Sequence, residues 1–90
     1  MEDSDDIRTP AQEDAVTESA VIHHLLAIHP IQITIEELIR EIEDRPEDFD
    51  RRDAVERAVR DLAGVGLLHR HEDFVVPSHA AIRFSQLLDS

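Results

Sequence analysis

All nine positively charged side chains in this 90-residue sequence are arginine, and they face 21 Asp and Glu, giving a formal charge of −12. Five of the nine cluster between residues 51 and 71: Arg51, Arg52, Arg57, Arg60 and Arg70. Only Asp53, Glu56 and Asp61 oppose them there, so the stretch carries +2 and the remainder of the chain −14. A guanidinium is a planar fork of donors that fits O6 and N7 of guanine, or the oxygens of a phosphate. His69 and His71 flank Arg70 and add two imidazoles to one face of an extended segment. Arg51, Arg52, Arg57, Arg60, His69, Arg70 and His71 are therefore the candidate contacts to DNA.

The same arginines have a plainer reading. Asp53–Arg57, Arg57–Asp61, Arg52–Glu56 and Glu56–Arg60 are spaced i,i+4 with opposite sign, as in the solvated ion-pair ladder of an exposed helix. Non-specific DNA affinity comes mostly from counterion release, and a charge of −14 elsewhere repels a duplex unless it faces away or is screened.

Other chemistry is poorly supported. His69-x-His71, with Asp73 and His79 nearby, is a spacing that zinc or nickel can use, but no third ligand has a diagnostic spacing and no metal site is expected. His23 and His24 lie about 100° apart on a helix and cannot both face one ion, and His29 marks a helix end. Cysteine is absent, which removes disulfides and thiolate chemistry. Ser4, Ser19, Ser78, Ser85 and Ser90 sit in no strand–turn–helix elbow, and Gly64 and Gly66 follow a helix instead of opening one. The expectation is a protein that is not an enzyme and carries no cofactor.

The elements that position these residues follow from capping signals and periodicity. An acidic tail, 1–8, has too little apolar surface to fold, and one domain is expected over 9–90. Thr9 caps a first helix with Pro10 in its first turn and Gln12 reaching back. This helix runs to about Ile28 on an apolar set of Ala15, Ser19, Ile22 and Leu26 with Val16 and Leu25, and ends before Pro30. Ile31–Ile33 reads as a very short strand. Thr34 and Glu37 form a capping box for a second helix to about Glu43, with Ile33 and Leu38 as its hydrophobic staple and Ile35, Leu38, Ile39 and Ile42 buried.

After a break at Pro46, Asp50 caps a third helix over 51–63 that buries Ala54, Val55, Ala58, Val59 and Leu62, and Gly64 closes it in the left-handed conformation. Segments 67–71 and 74–76 pair as a hairpin turning near Glu72-Asp73. That turn lacks Gly and Asn, so a loop longer than two residues, or a shifted one, is expected. Ser78 caps a last helix, 79–88. Ala80, Ala81, Phe84, Leu87 and Leu88 share its inner face, and Ile82 lies opposite.

This order resembles the winged-helix superfamily. The residues that carry the resemblance are Ala54-Val55, Ala58-Val59 and Leu62, then Gly66-Leu67-Leu68, then Phe74-Val75-Val76-Pro77. The implied fold is mainly α with a small β-hairpin: a three-helix core, a short first strand, a two-stranded wing and a C-terminal helix. The resemblance implies a DNA-binding transcriptional regulator with helix 51–63 as recognition helix and 67–77 as wing. The alternative is an acidic winged-helix protein–protein interaction module, or a subunit of a larger assembly, with no DNA binding. The segment DRPEDFD is longer than the turn of a simple helix-turn-helix, and Glu72 and Asp73 make the wing less basic than DNA-binding wings are. Terminal helices commonly dimerise such domains, so Ile82, Phe84, Leu87 and Leu88 are interface candidates for a possible homodimer, with Phe84, Leu87 and Leu88 also expected to cover the core. No apolar run approaches the roughly 18 residues of a membrane span and no signal-peptide pattern is present, so a cytoplasmic location is expected.

Overall fold

The computed structural model describes residues 10–45 and 47–89; the acidic tail and the Thr9 cap lie outside the described residues. Four helices and three short strands follow one another as α1 (Pro10–Ile28), β1 (Ile33–Thr34), α2 (Ile35–Ile42), α3 (Phe49–Gly64), β2 (Leu68–His71), β3 (Phe74–Pro77) and α4 (His79–Asp89). The chain is mainly helical, with one antiparallel sheet in the order β1-β3-β2. None of the described helices is long and apolar enough to cross a membrane.

The capping box forms as its spacing requires. Thr34 Oγ1 accepts from the Glu37 backbone N–H at 3.2 Å, and Glu37 Oε1 accepts from the Thr34 N–H at 2.8 Å. Ile33, just before the cap, and Leu38, one turn in, are both buried. The first-turn donors of α2 are thus satisfied while its apolar stripe is held against the core.

Helix α3 starts two residues earlier than expected. Asp48, not Asp50, is the cap: its carboxylate accepts from the N–H groups of Asp50 at 2.9 Å and Arg51 at 3.4 Å. An Asp-x-Asp stretch offers two caps of equal chemistry, and packing of the helix against its neighbours chooses between them. Asp48→Ala is expected to cost about 1 kcal/mol and Asp50→Ala less than about 0.5 kcal/mol in urea denaturation.

The other end of α3 also corrects the expectation. Gly64 stays helical, and Gly66 is the residue with positive φ, +86°. The Leu67 N–H reaches the Leu62 carbonyl at 2.9 Å and the Gly66 N–H reaches that of Ala63 at 3.1 Å. This paired closure places a left-handed residue just past the helix and folds Leu67 back over Leu62. The chain is then aimed into β2.

The hairpin is tighter than its composition suggests. His71 pairs with Phe74, leaving only Glu72 and Asp73 in the loop. Glu72 has φ +57° and is the only described non-glycine residue with positive φ. A positive φ at the first loop position alone has the sign pattern of a type II′ loop, so the asparagine–glycine pair of type I′ is not needed. β3 is the central strand, with Ile33 opposite Val75 on one side and Arg70 opposite the same residue on the other.

The core lies between the three first helices and the inner face of this sheet. Leu38, Ile39, Val55, Val59 and Val75 are fully buried, with Leu62 and Leu68 close to it. Of the stripes expected for α2 and α3, Leu38, Ile39, Val55, Ala58, Val59 and Leu62 are buried, and Ile35, Ile42 and Ala54 are half-buried. Helix α1 is rotated from its expected face: Val21 and Leu25 are buried, Ile22 and Leu26 are half-buried, and Ala15, Val16 and Ser19 are exposed. Val21, Leu25 and Ile28 share one side of the helix, Ile22 and Leu26 flank it, and Val16, Ala20 and Ala27 lie roughly opposite, so its periodicity does not single out one side.

Candidate functional site

The outward arginines of α3 do not stand free. Arg51 Nη1 donates to Glu43 Oε1 at the end of α2, at 3.1 Å. Arg52 pairs with Glu36 in the first turn of α2. Arg57 spans two carboxylates, Asp14 on α1 at 3.2 Å and Asp53 one turn back at 3.0 Å. Arg60 approaches Asp61 at 3.8 Å, an ion pair beyond hydrogen-bond length. Of the expected ladder, Asp53–Arg57 is present, but three of the four guanidiniums serve chiefly to tie α3 to α1 and α2. These partners lie 8, 16 and 43 positions away in sequence, beyond the reach of any helical spacing rule.

The titration of these groups carries the same imprint. The hydrogen bond from Arg52 holds the Glu36 carboxyl below its ordinary 4.5; desolvation opposes it, and the charges of Arg52 and Arg40 add smaller lowering effects. The hydrogen bond to Glu36 raises the pKa of Arg52, and that to Asp14 raises the pKa of Arg57. A carboxyl whose folded-state pKa is depressed contributes stability above its unfolded value, and that stability is lost as pH falls through the folded value. Glu36→Gln is therefore expected to lower the Tm slightly at neutral pH, and the difference from wild type should close progressively below 4.5. Thermal melts across that range check this.

Three other candidates lie on the hairpin. His69, Arg70 and His71 are exposed on β2. Pairing places His69 beside Val76 and His71 beside Phe74 on the outer face of the sheet, while Arg70 shares the opposite face with Val75. Arg70 makes no ion pair among the described residues. The seven candidates are thus divided among α3 and the two faces of β2. Among the described residues no group of three or more His, Asp or Glu could hold a metal ion.

Helix α4 departs most from expectation. Ser78 caps it, its Oγ accepting from the Ala81 N–H at 3.1 Å. Ala81 is its only buried residue among those described. Phe84, Leu87 and Leu88, expected over the core, are 62%, 54% and 69% exposed. Ala80 is also exposed, and Ile82, expected on the outer side, is half-buried. The core is already closed by α1, α2, α3 and the sheet, so α4 is left beside it. Ala81, Phe84, Ser85 and Leu88 line a groove of about 320 Å³ together with Ile22 and Leu26 of α1. The opposite side of α4 presents His79, Ile82, Arg83 and Gln86 to a second cleft, which also receives His29 and His69. Sequence reasoning missed this second group because its members come from four segments with no common spacing.

Comparison with protein-family models, with curated proteins and with solved structures found no match.

Proposed function

We propose that this chain is a small winged-helix domain that acts as a protein-interaction module, pairing with a second copy of itself through α4. The order of elements supports the winged-helix reading: β1 pairs with β3 at the edge of the hairpin, three helices precede the hairpin, and β2–β3 stand where the wing would be. The observation that carries the choice of function is the closure of α3 by carboxylates. A guanidinium paired with Glu36, Glu43 or Asp14 brings a carboxylate with it toward a phosphate, and a pair without net charge displaces no counterion from a duplex.

A second copy is the partner that the charge distribution favours. Two chains of −12 repel, so they can meet only on a face that carries little charge. Helix α4 has one Arg and one Asp in eleven residues, Arg83 and Asp89. Phe84, Leu87 and Leu88 stand at i, i+3 and i+4, the seam spacing of two packed helices. Their exposed surface is roughly 300 Å² per copy, below the roughly 800 Å² of a standard interface side, so the dimer is weak and concentration-dependent.

One observation favours DNA instead: Arg70, on the wing, has no carboxylate partner among the described residues. A single guanidinium is a small footprint beside the basic patch of a DNA-binding surface. Two measurements test the proposal. Sedimentation velocity over a roughly hundredfold concentration range should show a monomer–dimer equilibrium. Fluorescence anisotropy with random duplexes at low salt should show no binding by folded protein. Binding that weakens with salt and is lost in Arg57→Ala would replace the proposal with the DNA reading.

A further inference from the structure

We infer that the cleft between α4 and the outer face of the sheet is a binding site for a small organic anion, an oxyanion head on a compact apolar body. The cleft has a volume of about 520 Å³, within the ordinary range for small-molecule sites. Its floor is Val76 and Pro77 on β3 with Ile82 on α4, and the exposed Pro30 and Ile31, on the strap leading to β1, add an apolar edge. Around that floor stand His29 from the strap, His69 from β2, and His79 and Arg83 from α4, with Gln32 and Gln86 between them.

The lining is unusual for this chain. Twenty-one of 90 residues are acidic, yet no carboxylate lines the cleft, and three of the six histidines meet there. The strap, β2, β3 and α4 contribute no opposing charge to it. Exposed charges more than about 8 Å from the cleft are largely screened at physiological salt. At contact range the guanidinium and the imidazoles dominate, and every polar side chain of the lining can donate a hydrogen bond. A metal is the wrong occupant, since no group of three or more His, Asp or Glu among the described residues is arranged to hold one. Imidazoles spread around a floor of this size suit a ligand with both a charged and an apolar part.

His79, Ile82 and Gln86 face away from Phe84 and Leu88, whereas Leu87 of the proposed seam lies one turn from Arg83, so Phe84 is the position that separates the two faces.

The test is an NMR titration of the full chain with three probes. These are benzenesulfonate, its neutral analogue benzenesulfonamide, and inorganic sulfate as the head alone. Saturable shifts are expected with benzenesulfonate around residues 29–32, 69 and 76–83. Sulfonamide and sulfate should each bind at least about tenfold more weakly. The double variant His79→Gln/Arg83→Gln, folded by its own spectrum, should weaken benzenesulfonate about tenfold or more, and His69→Gln less. Phe84→Ser should leave it unchanged. The inference is overturned if benzenesulfonate gives no saturable shifts, if sulfate binds as well, or if the shifts map to the groove around Phe84.

Discussion

Phe84→Asp is expected to leave a folded monomer at every concentration where the wild-type chain dimerises. The side chain is 62% exposed, so its replacement removes little from the domain's own core, where α4 contributes only Ala81. In a two-fold pair the same position of both copies lies in the interface, so the substitution brings two carboxylates into a desolvating contact and removes two rings from it. Leu88→Asp should act in the same way. Phe49→Asp is the control: Phe49 is 85% exposed at the start of α3, and the change in charge and hydropathy is identical. A monomer for Phe84→Asp beside a dimer for Phe49→Asp, read by sedimentation velocity with unchanged circular dichroism, identifies α4 as the contact. A dimer that survives Phe84→Asp, or a wild type that stays monomeric, rules out self-association through this helix.

Leu38→Ala carries the largest expected loss of stability. Leu38 is fully buried on α2, one turn past the Thr34 box, among Ile39, Val55, Val59 and Val75. Truncating a leucine in such a place loses its transfer free energy and leaves a cavity, together about 2–5 kcal/mol. A 90-residue domain has about 5–13 kcal/mol in total, so a large fraction of its stability disappears with one side chain. Urea unfolding should show a much lower midpoint at an unchanged slope. Val16→Ala, which alters a half-exposed residue of α1, should change the midpoint little. Equal losses in the two variants would mean that α1 packs on its expected face instead of through Val21 and Leu25.

The parts of the fold that were legible share one property, a local signal with no competitor. Thr34 and Glu37 at box spacing define the start of α2, and Ser78 caps α4, because the groups that satisfy the first turn are three residues away. The faces of α2 and α3 were legible because each helix has a single apolar stripe. Where two answers were locally equivalent, the chain did not choose between them. Asp48 and Asp50 are the same chemistry two residues apart, Gly64 and Gly66 can each end a helix, and α1 has apolar residues on several sides.

The functional surfaces were the least legible, for a different reason. Arg51 and Arg60 are exposed on α3 and Arg52 and Arg57 half-buried, and the carboxylates that hold Arg51, Arg52 and, in part, Arg57 come from the end of α2, from α2 and from α1. The residues around the cleft, His29, His69, His79 and Arg83, span more than fifty positions and share no period. What the sequence by itself determined is its helices, its hairpin, its principal core stripes and the caps whose chemistry has no rival nearby. These depend on hydrogen bonds and side-chain periods within a few residues. Only the tertiary structure decided which side of α1 is buried, which arginines are occupied, and that Phe84, Leu87 and Leu88 stay outside a core already closed without them. Those outcomes depend on groups brought together from distant positions, and the free energy that selects them exists only once the helices have packed.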